Sequence, residues 1–341
     1  MSPLALRLMA CLGFALAQPA GAADHQSTPP IWFSPDDETP DLLDLFSRPY
    51  EWPVARSHLG VLKLGPQHFE THPQLKINTL ADLAGVSAFE KLKAWGIALA
   101  SEEGAVKEWD CTGKAAADVT LGHLRNVRAL HGEIRVIAMD EPLVSGLGPC
   151  ALSVQEVAGR TGLYVERVRQ MSRNGAASGT PLIGDIEPYP FFSVSQLGAW
   201  LDALDAAKVR LEFFHLDIDM NALKDRPGIN AVHDVRQLQW MLRKRHVPFG
   251  VIIWSGRDPE ASDEAYYRDA MRLVRLVKAS TDTPRQVIFQ SWVRRAASGC
   301  SADQADFCSG KSIPLNLPEA GPLNFSHTRL LNDAIAILHG P

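Results

Sequence analysis

The sequence predicts an α/β protein of the (β/α)8 TIM-barrel class, in a single domain. Three observations predict it. Short β-rich runs alternate with helical patterns eight times along the chain. The connections are short, which implies parallel strands, because parallel neighbours can be joined only by a crossover. Several runs also end in carboxylates or their amides, at the rim where such a barrel builds its active site. The competing architecture is an open doubly wound sheet that binds a nucleotide. Neither G-x-G-x-x-G nor G-x-x-x-x-G-K-[ST] stands at a strand-to-helix turn, so the barrel is preferred.

Residues 1–22 read as a secretion signal. Arg7 supplies the positive start, Leu8–Ala17 the apolar stretch, and Ala20-Gly21-Ala22 a small-residue cleavage site. The stretch is too short to span a bilayer, which takes roughly twenty residues. The expected product is secreted or periplasmic, with a flexible polar lead-in at 23–30 and the barrel over 31–341.

The strands predicted in order are Ile31–Ser34, Gly60–Leu64, Gly96–Ser101, Ile134–Met139, Leu182–Ile186, Leu211–Ile218, Gly250–Trp254 and Gln286–Trp292. Each is a β-branched or aromatic run bounded by breakers. Helices follow from apolar spacing and from end signals. Leu80–Trp95 stops at Gly96, and Thr120–Leu130 stops at His131-Gly132. Ser193 caps Gln196–Lys208, and Asn230–His246 ends before Pro248. Ala261–Ser280 is long and amphipathic, and Thr328–Leu338 ends the chain. The Gly-, Pro- and Ser-rich segment Arg294–Pro322 is the longest connection, and loops of that size are usually functional.

The net charge of −5 argues against nucleic acid and anionic membrane as partners. Arg243-Lys244-Arg245 sits at a helix end, where cations complement the dipole. No heptad or apolar surface run demands a second copy, so a monomer is expected. Of the five cysteines, Cys11 falls in the signal; the even remainder reads as disulfides in an exported chain. Cys300 and Cys308 bracket a short loop. Cys111 and Cys150 follow consecutive strands, so their loops would be neighbours on one rim. No CxxC or CxxH spacing supports zinc.

Side chains on a strand alternate between faces. In strand five Ile183, Asp185 and Glu187 share one face; in strand six His215, Asp217 and Asp219 do. If the other, apolar faces pack on the helices, four carboxylates and an imidazole aim into the barrel mouth. Strand four adds Asp140 and Glu141, strand three Glu102 and Glu103, strand eight Gln290 and Trp292, and strand two Lys63 and Gln67. Single acids after strands are commonly helix caps or solvated loop charges, and Asp258, Asp263, Glu103, Glu108 and Asp110 fit that description. Two in-face pairs on neighbouring strands do not.

Paired carboxylates suit glycoside hydrolysis, in which one protonates the leaving oxygen and the other attacks or activates water. Trp109, Tyr189, Phe191, Trp254 and Trp292, at or beyond strand ends, could stack on sugar rings. The same oxygen-rich set with one His could instead bind a divalent metal, as in a sugar isomerase or phosphodiesterase. No cofactor is expected under the glycosidase reading.

Met139-Asp140-Glu141-Pro142 and Ser291-Trp292 are where the sequence resembles the clan A (β/α)8 glycoside hydrolases. That clan carries an acid/base Glu at the end of strand four, often before Pro, and a Trp near the end of strand eight. The resemblance implies Glu141 as general acid/base, Trp292 in the sugar platform, and an oligo- or polysaccharide substrate. It departs at strand seven, where the clan places its nucleophilic Glu and Val251–Gly256 carries no acid. The second carboxylate is therefore expected at Glu187, with Asp217 and Asp219 next. Asp140, Asp185, His215, Lys63, Gln290, Trp254, Trp292 and Tyr189 are expected to line the pocket. A barrel that had lost the second acid would bind sugar without cleaving it. The hydrolytic reading requires the ends of strands five and six to converge with Glu141 in one pocket.

Overall fold

Eight parallel strands close on themselves in chain order: β1 (Ile31–Ser34), β2 (Val61–Leu64), β3 (Ala98–Glu103), β4 (Ile134–Asp140), β5 (Leu182–Tyr189), β6 (Phe214–Ile218), β7 (Phe249–Ile253) and β8 (Gln286–Gln290). β8 pairs with β1 over four residues, which completes the ring. The computed structural model describes residues 31–72, 77–176, 179–256, 262–280, 284–296, 309–321 and 324–339. The residues of the expected signal and lead-in, and Cys300 with Cys308, lie outside these. Among the described residues no helix is long and apolar enough to cross a membrane.

The expected helices end close to where their signals put them; the one expected over Thr120–Leu130 opens earlier, at Lys114, and two further departures follow. Ser193 and Gln196 form a reciprocal capping box for Val194–Ala206, and the Asn230 side chain caps Ala231–Lys244. The helix expected over Leu80–Trp95 is two, Leu80–Gly85 and Ala88–Trp95, broken where Ser87 takes a left-handed backbone with φ 55°. A helix over Val154–Met171, opened by a Ser153–Glu156 capping box, fills the crossover between β4 and β5. The segment after β8 is not a plain loop, since β9 (Val293–Ala296) and β10 (Ser309–Ile313) pair there as an antiparallel ribbon.

Two apolar cores result. Trp32, Val61, Ala100, Val136, Ala138, Ile186, Phe213, Ile252 and Ile288 fill the inside of the barrel, and a larger core packs the outer strand faces on the helices. Glycine matters at two interior points: a Cβ at Gly184 would fall 2.3 Å from the Phe213 ring, and one at Gly250 2.7 Å from the His215 ring. Phe213 and His215 can enter the barrel because those neighbours have no side chain.

Cys111 and Cys150 are disulfide-bonded, as expected, and join the loop after β3 to the segment after β4.

Candidate active site

Strand register decides which expected site residues meet. Register partners on parallel neighbours point to the same side of the sheet. Asp140 pairs with Ile186, Ile186 with His215, and Asp217 with Ile252, and all of these face inward. Asp185 pairs with Phe214 and Glu187 with Leu216, whose side chains belong to the outer core. The acids of β5 therefore point at the helices, not into the mouth. Asp185 accepts a hydrogen bond from the Trp200 indole at 2.8 Å, and Glu187 accepts one from the Leu143 amide at 2.8 Å. Both are fully buried. Burial pushes Asp185 up to about 8; burial, and then the charge of Asp185, pushes Glu187 well above the ordinary carboxylate range. The assignments of Glu187 as second catalytic acid and of Asp185 as substrate ligand are corrected accordingly.

Further expectations change, among them those for Lys63 and Trp254, which do not line the cavity described below. Tyr189 shares the outer face of β5, and its hydroxyl donates to Asp234 at 2.8 Å. Asp219 caps the short helix Met220–Lys224, accepting from the amides of Asn221 and Ala222, so it is spent on backbone. His215 faces inward but below the cavity, edge-on to Trp32 and 2.7 Å from Gln286, and burial lowers it to about 3. It is a neutral core imidazole.

What the fold does bring together lies at the C-terminal mouth, around a cavity of about 570 Å³. Glu141, Asp140, Asp217, Gln290 and Trp292 line it, as expected. Glu102, Lys107, Trp109, Asp37, Glu38 and Arg294 line it too. Lys63 is buried beneath, its ammonium paired with Glu102 and 2.7 Å from the Gln290 side-chain Oε1. Trp254 packs against Trp292, ring centroids 4.4 Å apart and planes tilted by 38°, so it supports the wall without itself lining the cavity.

Glu141 reaches the cavity through its backbone. Strict alternation would send it outward beside Met139, but it takes a left-handed conformation with φ 47° and ψ 53°. Such a backbone is rare and strained for a residue with a side chain, and it redirects the chain at the strand end. Pro142 follows at the first position of the helix Pro142–Leu147. Burial, and then the neighbouring Asp140 charge, raises the Glu141 carboxyl to about 7. Burial and the Glu141 charge raise Asp217 to about 8, partly offset by the Trp254 indole and Lys63.

Cations thread the acids. Lys107 bonds Asp140 at 2.6 Å. Arg294, at the start of β9, reaches Asp36 at 3.0 Å and pairs with Glu38, fastening the ribbon to the loop after β1. His68 lies 3.3 Å from Asp37. The acid run Asp36-Asp37-Glu38 after the first strand carries the same sequence signal as the later strand ends. Nothing in the sequence marks Lys107 or Arg294, which reach the site by loop geometry.

Metal binding finds little in this donor set. Among the described residues no group of three or more His, Cys, Asp or Glu is arranged around a common point. Ammonium groups already neutralise Glu102 and Asp140, and the expected imidazole is in the barrel core.

No family model matches the chain, and no curated protein does. Solved structures place it among (β/α)8 barrels. It is similar to a fungal β-1,4-galactanase (TM-score 0.51, 10% identity, 90% of this chain and 100% of the other). It is similar to SrfJ from Salmonella typhimurium (TM-score 0.52, 11% identity, 91% and 75%). A weaker likeness is to a glycoside hydrolase family 26 endo-β-1,4-mannanase from Cellulomonas fimi (TM-score 0.47, 13% identity, 81% and 69%). At these identities the likeness establishes the barrel alone.

Proposed function

We propose that the chain is an exported carbohydrate-active hydrolase that cleaves a glycosidic bond, with Glu141 as general acid and Asp217 as the second carboxylate. The observation that carries this is the pair itself: two carboxyls, from β4 and β6, on one cavity and each raised toward neutrality by burial and by a neighbouring acid. The Glu141 charge is itself one cause of the rise at Asp217, while Glu141 is raised by burial and Asp140, so near neutral pH this cavity can hold one carboxyl protonated beside an ionised one. Glycoside hydrolysis needs that state: one carboxylic acid to protonate the leaving oxygen, and one carboxylate to attack the anomeric carbon or take a proton from water. The resemblance around Met139–Pro142 gives the acid role to Glu141. Asp217 supplies on β6 what β7 lacks. Trp292, with Trp109, offers ring faces for sugar stacking, and Gln290, Asp37 and Glu38 offer hydroxyl partners. The galactanase fold is compatible with this reading and adds no residue to it.

The experiment is a reducing-end assay of the purified protein on a panel of polysaccharides, with Glu141→Gln and Asp217→Asn alongside. Cleavage by the parent, reduced on the order of 10²–10⁴-fold in Glu141→Gln with little change in Tm, is the expected result. Binding without cleavage by the parent would favour the sugar-binding barrel; an active Glu141→Gln would remove Glu141 from the mechanism. If cleavage is found, the anomer released decides the stereochemistry. Carboxyl separations of roughly 5–5.5 Å accompany retention, and roughly 6.5–9.5 Å inversion.

A further inference from the structure

The loop between β3 and the helix Lys114–Ala129 is unusually well tied down, and its one cation is aimed at the site. Its Lys107 and Asp110 exchange backbone hydrogen bonds, Lys107 accepting at 2.9 Å and donating at 3.4 Å. The Asp110 carboxylate accepts from the Thr112 amide and hydroxyl and from the Ala116 amide, which joins the loop to the helix start. Cys111 is bonded to Cys150, and the Cys150 sulfur lies 3.5 Å from the Lys107 carbonyl oxygen. The loop is thereby clamped to the segment that follows β4. From it the Lys107 ammonium reaches Asp140 at 2.6 Å, one residue before Glu141.

We propose that Lys107, held by the Cys111–Cys150 disulfide, is the positioning residue for the Glu141 carboxyl, and that opening the disulfide loosens that control. The inference rests on Glu141 as the acid and adds how its proton is managed. Apart from Lys107, the charged and titratable groups around Glu141 are Asp140 on its own strand, Glu102 on β3, Asp185 and Glu187 on β5, and Asp217 on β6. All are acids. Lys107 is the cation that acts directly against them at Glu141, opposing the rise caused first by burial and then by Asp140. Lys63 sits deeper and is paired with Glu102. Without the Lys107 ammonium, Asp140 stands uncompensated beside Glu141, and both effects favour the protonated form. A loop released at Cys111 lets the ammonium swing into water and acts in the same direction, less completely.

The test needs no substrate. Protein labelled with ¹³C at the glutamate side-chain carboxyls is titrated by NMR, the Glu141 resonance being assigned by its loss in Glu141→Gln. The comparison runs over the parent, Lys107→Met, Lys107→Arg, the Cys111→Ser/Cys150→Ser double variant, and the parent after reduction in its folded state. The expected result is an upward shift of the Glu141 midpoint by about half a unit or more in Lys107→Met, a threefold or larger gain in proton affinity. Lys107→Arg restores the parent value, and the double variant and the reduced parent shift in the same upward direction. An unshifted midpoint in Lys107→Met overturns the proposal. A shift there with none on loss of the disulfide removes the disulfide from it. A parent midpoint at the ordinary glutamate value would strike at Glu141 as acid instead, whichever way Lys107→Met moves, so the two failures are told apart.

Discussion

At the scale of single residues, Asp185 and Glu187 carry the sharpest lesson. Alternation along β5 correctly divided its side chains into two sets, yet it could not say which set faces in. The assumption that the apolar set packs on the helices holds for β6, where Phe214, Leu216 and Ile218 lie in the outer core. It fails for β5, because the barrel interior is itself apolar and takes Ile186. The resulting buried carboxyls make a prediction. Their folded-state proton affinities lie above the unfolded ones, so the native chain binds more protons, at Asp185 between about pH 4 and pH 8 and at Glu187 from the ordinary carboxylate range upward. The associated stability is fully present below the unfolded values and is lost as pH rises through the folded ones. Tm should therefore fall from pH 5 to pH 8, and Asp185→Asn, a neutral side chain that still accepts from Trp200, should flatten that slope. Calorimetry across the range checks it; an unchanged slope would mean that Asp185 is ionised in the native protein.

At the scale of elements, all eight strands were legible, because each is a β-rich run bounded by breakers and that signal is local. The helix Val154–Met171 was not, since Gly159, Gly162 and scattered charged residues blur its apolar stripe. The ribbon β9–β10 was hidden in a Gly- and Ser-rich segment whose pairing is set by contacts elsewhere: Ser312 donates its amide to Asp41 at 3.1 Å, and Arg294 reaches back to the loop after β1. Glu141 was legible as a strand-end acid, but the left-handed backbone that turns it into the cavity was not. The disulfide belongs to this scale as well. Its two cysteines are 39 residues apart, so the chain-entropy argument gives about 3–4 kcal/mol of stabilisation. Cys111→Ser/Cys150→Ser should lower Tm by roughly 4–6 °C in calorimetry. A change under a degree would mean that the unfolded chain retains enough structure for the crosslink to constrain it little.

For the whole molecule, closure of the ring places the strand ends of the entire chain around one mouth, and all eight strands or the segments that follow them contribute to the cavity lining. Lysine and arginine side chains already supply the positive charge that these acids call for. Chelation should therefore leave both Tm and any glycan cleavage unchanged; a loss of either with EDTA, restored by a divalent cation, would reinstate a metal enzyme. The way the ring ends has a practical side. The last helix, His327–His339, runs back down the outside until the Leu338 carbonyl accepts from Lys278, near the foot of the helix that feeds β8. Ile31 begins β1 at that same foot. Both ends of the described chain thus emerge on the side away from the cavity, and a tether or fusion partner attached at either one would anchor the barrel with its mouth turned outward to the medium.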